Sequence, residues 1–402
     1  MRDADAEAIV VGGGPAGSTL AAALAQSGHC VLLLDKAAFP RHKPCSDYVN
    51  AGGRKILAGM GVLDEAMRAG AHRIDGMIVH APDGNRFTAD FARAEPGQAA
   101  LGFSRRCLDQ LLLDRAKAAG VTVCERAHVR DLIRDGERIV GVEATIDGAL
   151  NQIRAPLIVG ADGRHSVVAR SLGLDAPLRW PRKTGLAAHY RDVPGLDGYG
   201  QMHVGHGVYA GLAPIEHGMA NLTIVLPDRS VEDRSGSVEE LFADALQRLP
   251  ALAHTLEGAE RVDGIRGVGS MGHRARRTTG NSVLLIGDAA SFLDPFPGEG
   301  IYEALKAAQL AAPVASAALR SGDTSAEALA PYQIARRRAF TAKRQVCWIV
   351  QGFVNAPPLM NYVTDRLARR DELGLTLSGV LGNLRPAGQA LSPLYLARLL
   401  RP

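Results

Sequence analysis

The stretch EAIVVGGGPAGSTLAAALAQSGHCVLLLDKA, residues 7–37, constrains this chain more than any other. Its apolar, β-branched run AIVV predicts a buried strand, and the alanine-rich run from Pro15 to Ser27 predicts a helix that stops at Gly28. CVLLLD reads as a second strand. Gly12, Gly14 and Gly17 fall in the spacing G-x-G-x-x-G between the first strand and the helix. The first glycine allows a tight turn, the second lets backbone approach a pyrophosphate, and the third lets helix and strand pack closely. The free N–H groups and dipole of the helix N-terminus favour an anion there. Asp35 ends the second strand 18 residues after Gly17, where an acid that reaches a ribose belongs. A glycine-rich turn without a ligand accounts for neither the strand before it nor the acid after it.

Two further stretches carry chemistry. VLLIGDAASFLDPFPGEGIYEAL has a strand ending at Asp288, then a Gly298-Glu299-Gly300 turn leading into a long helix. LIVGADGRHSVVARSLG closes a strand at Asp162-Gly163, and Ser166 stands where it caps the helix carrying Arg170. From residues alone, Asp162 and Ser166 fit turn and cap bonds as well as a ligand role. Between these motifs, residues 75–90 alternate weakly around the turn signal PDGN, and residues 183–268 hold several strand runs with a helical SVEELFADALQRL. The pattern predicts an α/β protein. A Rossmann-like dinucleotide-binding domain is assembled from 1–75, 100–180 and 270–322. An antiparallel-sheet substrate domain is interleaved at 76–99 and 181–269, and a helical region follows at 323–402.

Bulk properties exclude other classes. The chain has 402 residues, 47% hydrophobic and 22% charged, with a net charge of +4. No basic run among spaced aromatics points to nucleic acid. Five scattered cysteines without a CxxC pair predict neither a disulfide framework nor a metal site, and fit a reducing cytoplasm. No run of about 18 apolar residues predicts a membrane span, and the N-terminus does not read as a signal peptide. The C-terminal basic residues Arg336–Arg338, Lys343, Arg344, Arg369 and Arg370 fit a solvated helix face, with a carrier protein or an acidic membrane surface as unsupported alternatives.

Taken together, the three motifs resemble the FAD-dependent oxidoreductases of the para-hydroxybenzoate hydroxylase-like superfamily, nearest to its geranylgeranyl reductase-like branch, over about residues 5–320. The resemblance implies that Gly12, Gly14, Pro15, Ala16, Gly17, Asp35 and Lys36 hold the ADP part of FAD. It places Arg105, Val129 and Asp162 on the FAD side, and Gly287-Asp288 at ribitol or pyrophosphate oxygens. Pro295, Gly298, Glu299, Gly300 and Ile301 then face the flavin ring. In FPRHKPCSDYVN, Lys43 and Cys45 fall in register with the K-x-C-G segment of that branch, with Ser46 where a glycine is usual. Arg41 and Lys43 then lie near phosphates, and Cys45 near the ring or as an ordinary packed thiol.

Three reactions share this scaffold. The W-x-W-x-I-P stretch of tryptophan-type halogenases is absent, since Trp180 and Trp348 are the chain's tryptophans. The comparable VYAGLAPIE also departs from the W-x-F-P pattern of prenyl reductases. These departures favour a monooxygenase that uses NAD(P)H and O2 on a small aromatic or apolar substrate, with ene-reduction as the main competitor. His203 and Tyr209 are candidates for orienting a substrate, with Cys45 or Tyr48 near the acceptor in a reductase. A single dinucleotide fingerprint implies that NAD(P)H binds only transiently. A non-enzymatic flavin-binding redox sensor is the remaining alternative.

Overall fold

In the computed structural model, which describes residues 4–401 except 177, 179, 181, 233–235, 295 and 297, the chain folds as a mixed α/β protein. A six-stranded sheet runs in the order Thr279–Gly280, Val283–Leu285, Leu157–Gly160, Ala8–Val11, Val31–Leu34, Thr122–Cys124. All neighbours are parallel except the first pair. Ala8–Val11, Leu157–Gly160 and Val283–Leu285 are buried throughout, as parallel strands covered on both faces require.

On one face lie the helices Pro15–Gln26 and Gly300–Ser321, which pack through alanines. On the other lies an antiparallel meander of His128–Asp135, Arg138–Ile146 and Ala149–Arg154. Ala8–Val11 has a later-entering strand on each side, so chain direction diverges at its carboxyl end. That is where open α/β sheets form a ligand crevice, and it is where Gly12 turns with φ +105°.

A second sheet of eight strands is assembled from distant pieces. Its path runs Glu260–Arg261, Lys183–Arg191, Met219–Pro227, Val208–Pro214, Tyr199–Gly205, Gly76–His80, Arg86–Asp90, and Arg266–Met271 also pairs with Lys183–Arg191. The hairpin 76–90 thus joins its last strand pair to the strands of 183–271. One face packs on the helices Val238–Gln247 and Pro250–Thr255. The first of these starts with a reciprocal cap between Ser237 and Glu240. The other face packs on the C-terminal helices Ala326–Val354, Pro357–Arg369 and Asp371–Leu381.

The basic C-terminal stretch is not uniformly a solvated face. Arg336 and Lys343 are buried. Lys343 pairs with Glu299 at 2.9 Å, and both Arg336 and Arg344 donate to the Ser291 hydroxyl at 2.6 Å. These cations tie the C-terminal helices to the loop before Gly300–Ser321. Among the described residues, no helix is long and apolar enough to cross a membrane.

Candidate functional site

Two joined cavities open at the carboxyl ends of the parallel strands. The first, of about 1220 Å³, is lined by Gly12, Gly14, Asp35, Lys36, Arg41, Val129 and Asp162 among others. The second, of about 1030 Å³, is lined by Pro15, Ala16, Cys45, Arg105, Asp288, Gly298, Gly300 and Ile301 among others. Gly14, Lys43, Pro44, Ala161 and Arg164 line both, so the two form one elongated space.

The glycine turn is shaped by close approach. A Cβ on Gly12 would lie 2.5 Å from the Ala161 carbonyl oxygen, and one on Gly17 would lie 1.9 Å from the Gly12 carbonyl oxygen. Gly14 differs: its Cβ would meet only the guanidinium tips of Arg105 and Arg41, at 3.6 and 3.7 Å. Two cations therefore converge on the mouth of helix Pro15–Gln26. Both are held by the fully buried Asp109. Arg105 meets it twice, at 2.6 and 2.7 Å, and Arg41 once, at 2.9 Å. Fixed guanidiniums beside free helix N–H groups suit a diphosphate. Asp35 accepts the Gly13 and Ala37 amides at 2.7 and 2.8 Å, which locks the turn while the carboxylate still borders the cavity.

Asp162 supplies a second sign of fit. One of its oxygens accepts the Val167 amide at 2.7 Å, whereas Oδ1 is buried with no partner among the described residues. Burial pushes this carboxyl above its ordinary range. Asp162 borders the first cavity, and a buried carboxylate oxygen without a partner calls for a donor such as a sugar hydroxyl. Ser166 caps its helix by accepting the Ala169 amide at 2.9 Å. The residues present thus fit a flavin dinucleotide: a diphosphate cradle, ribose- and ribityl-binding acids, and a helix N-terminus at Gly300 toward the ring.

The loop around Cys45 is held by a buried polar network. Asp47 sits at φ +50° and accepts the Arg105 amide at 2.9 Å. Its other oxygen meets His189 Nε2 at 2.8 Å and Asn221 Nδ2 at 2.9 Å. His189 Nδ1 meets Asp263 at 2.7 Å. Burial opposes charge on His189, but the Asp47 and Asp263 carboxylates outweigh it and push its pKa up to about 9. The Cys45 carbonyl accepts from Asn221 and Thr223 at 3.0 and 3.2 Å. The Cys45 side chain borders the second cavity, and burial pushes its thiol upward, so it stands there protonated rather than as a thiolate.

Beyond Tyr48 and Gly298 lies a third cavity of about 680 Å³. Tyr48, Ser46 and Gly298 line both it and the second cavity. Gly298 has φ +67°, and a Cβ there would lie 2.6 Å from the Tyr48 ring, so ring and turn form a thin partition. The far side is apolar, with Met77, Val79, Phe91, Met202, Phe296 and Leu381 in its wall.

Not every candidate residue reaches these spaces. His203 stands opposite Ala210, on the face that packs against helices Val238–Gln247 and Pro250–Thr255. It stacks on His80 with 4.3 Å between ring centroids, and burial drops its pKa to about 3. It therefore faces away from the cavities. Tyr209 is on the inner face but borders none of the three cavities; its hydroxyl donates to Asp294 at 2.6 Å. The Glu299 side chain turns toward Lys343 and Asn383 rather than the cofactor space. Gly287 lies behind it, where a Cβ would be 2.9 Å from the Ala16 side chain. Pro295 lies outside the described residues. Sequence reasoning did not single out Asp109 or His189. The i,i+4 spacing of Arg105 and Asp109 was the available signal for the first; nothing local marks the second.

Known proteins resemble this chain in sequence and in fold. The FAD binding domain family matches residues 5–346. A digeranylgeranylglycerophospholipid reductase of Methanopyrus kandleri is 32% identical over 336 residues, covering 81% of each chain. A counterpart of Methanococcoides burtonii is 30% identical over 342 residues, covering 83% of this chain and 79% of its own. Among solved structures, a geranylgeranyl bacteriochlorophyll reductase-like protein of Thermoplasma acidophilum superposes with a TM-score of 0.81 at 21% identity, covering 96% of this chain and 98% of its own. The myxobacterial chondrochloren halogenase does so with 0.78 at 27%, covering 85% and 81%. The chain binds FAD, and it belongs to the FAD-binding-domain family of oxidoreductases, in the geranylgeranyl reductase-like branch.

Proposed function

We propose that this oxidoreductase is an ene-reductase that adds two hydrogens across a carbon–carbon double bond of a large apolar substrate of the isoprenoid class. One observation carries the reading. Among the described residues lining the third cavity, Tyr48 is the one ionisable side chain, and burial pushes its phenol well above the usual range. Such a wall offers no base to deprotonate a phenol and no charge to orient a carboxylate, as hydroxylation of a polar aromatic ring requires. It suits a hydrocarbon, whose burial needs only apolar area. The relatives named as reductases of geranylgeranyl lipids support the same side of the choice.

Bound and reduced, FAD would supply a hydride to one carbon of the double bond. Arg41 and Arg105 would hold its diphosphate, Gly12 and Gly14 would let the backbone approach, and Asp35, Asp162 and Asp288 would accept from its hydroxyls. The N-terminus of helix Gly300–Ser321 favours negative charge on the electron-rich ring edge. The second carbon needs a proton, and Cys45, Ser46 and Tyr48 carry the exchangeable hydrogens nearest the partition. NAD(P)H is the electron donor in this reading. It docks transiently, because only one dinucleotide fingerprint is written in the chain.

The test is an anaerobic mix of chemically reduced holoprotein with geranylgeraniol. Flavin absorbance returns as the alkene is reduced. If the flavin stays reduced without O2 but turns over with O2 in a substrate-dependent way, oxygen insertion is the reaction instead.

A further inference from the structure

The inner face of the eight-stranded sheet carries one residue that the fold does not explain. Gly211 lies inside the strand Val208–Pro214, where a glycine weakens a sheet and usually marks a bulge or a close approach. Other strand glycines show such an approach: a Cβ would lie 2.4 Å from Met77 Sδ at Gly200, 2.5 Å from Met271 Cε at Gly185, and 1.8 Å from the Pro214 oxygen at Gly102. At Gly211 a Cβ would meet only Met202, at 3.6 Å or beyond, and its φ is not in the left-handed region. Packing and backbone therefore permit a side chain there.

Register shows what the missing side chain opens. Across the sheet, Thr223 pairs with Gly211, Gly211 with Met202, and Met202 with Val79. Thr223 borders the second cavity, whereas Gly211, Met202 and Val79 border the third. Gly211 is thus the step between the two along one continuous row, and Ala213 extends the gap on the same strand. From Gly211 to Val79 the row spans two strand spacings, roughly 10 Å.

We infer that Gly211, with Ala213, is the specificity-determining gate through which an extended apolar chain passes from the cofactor cavity into the third cavity. The inference rests on the reductase reading only for the reactive end of that chain. A branched C20 tail is long enough to lie along the row and enter both spaces; a C10 chain does not need the passage.

Binding of two saturated, unreactive probes to FAD-loaded protein tests this, read as a perturbation of flavin absorbance. The probes are phytanol (C20) and 3,7-dimethyloctanol (C10). The wild type binds phytanol more tightly. Gly211→Leu weakens phytanol by about tenfold or more, the loss of some two buried methylenes, and leaves dimethyloctanol within about threefold. Gly211→Ala stays close to the wild type. Thermal stability and FAD content report folding, and if Gly211→Leu fails them, Ala213→Leu supplies the same reading. Equal loss for both probes, no loss for either, or wild-type protein blind to phytanol overturns the gate. Because neither probe can be reduced, phytanol binding without geranylgeraniol reduction upholds the gate and sinks the reductase reading alone.

Discussion

The cofactor space and the apolar cavity share the Tyr48–Gly298 partition but are built by opposite rules. The first is made of backbone and fixed charge. At Gly12 and Gly17 a single added carbon would collide with a carbonyl oxygen, and Arg41 and Arg105 are pinned on one buried carboxylate. The second is made of side chains whose volumes can be exchanged, with a glycine at its threshold that the fold does not demand. The contrast teaches where each kind of specificity is stored. In this account cofactor recognition sits in backbone and in charges pinned by buried partners, and substrate recognition sits in side chains that a few substitutions re-cut.

The sharpest way to break this contrast lies within the glycine turn. Gly17→Val forces a contact of 1.9 Å against backbone and should abolish folding, a loss on the order of 4–5 kcal/mol or more. Gly14→Val meets only arginine tips, so it should fold with a near-normal melting temperature but lose FAD. Soluble expression, circular dichroism and flavin absorbance read both. A Gly14→Val protein that retains FAD at wild-type affinity would remove the diphosphate from this turn.

A smaller effect is expected at the partition. Lys343 pairs with Glu299 and also donates to the Val380 and Leu381 carbonyls, so it joins the flavin-side turn to the helix whose Leu381 borders the apolar cavity. Burial raises the Glu299 carboxyl, and the Lys343 charge opposes that rise. Lys343→Met leaves Glu299 buried without its cation and should cost about 3–5 kcal/mol by chemical denaturation. The double variant with Glu299→Leu should recover much of it. A single variant of unchanged stability would show the two regions to be joined elsewhere.

The smallest expected effect is pH-dependent. His189 holds Asp47 beneath the Cys45 loop, and its pKa rises from 6.5 to about 9 on folding. Its stabilisation is fully present below pH 6.5 and fades as pH rises through about 9. His189→Asn should therefore cost roughly 1–3 kcal/mol at pH 6 and much less at pH 9.5. A gap that stays constant across that window would mean that His189 packs without its charge.

The fold class was legible because its signals are local. The glycine turn lies between two apolar runs, SVEELFADALQRL carries its own capping box, and PDGN sits between two alternating strands. The apolar cavity was not, because its wall gathers Met77, Met202, Phe296 and Leu381 from two strands, a loop and a helix, and only the tertiary fold brings them together. His203 shows the same limit in reverse. A period-2 strand offers each residue to one of two faces, and the sequence of that strand does not say which face meets the cofactor. The basic C-terminal residues mislead for a related reason. Charge suggests solvent, but Lys343 and Arg336 find their acceptors across the fold, on Glu299 and Ser291.

The central claim is that the partition delivers hydrogen, not oxygen, to an apolar chain. The most direct measurement is the mass of the product formed from geranylgeraniol by FAD-loaded protein and NADPH under 18O2. The account predicts a product two hydrogens heavier, free of label and unchanged when O2 is excluded. A product that gains one 18O atom and disappears without O2 contradicts it.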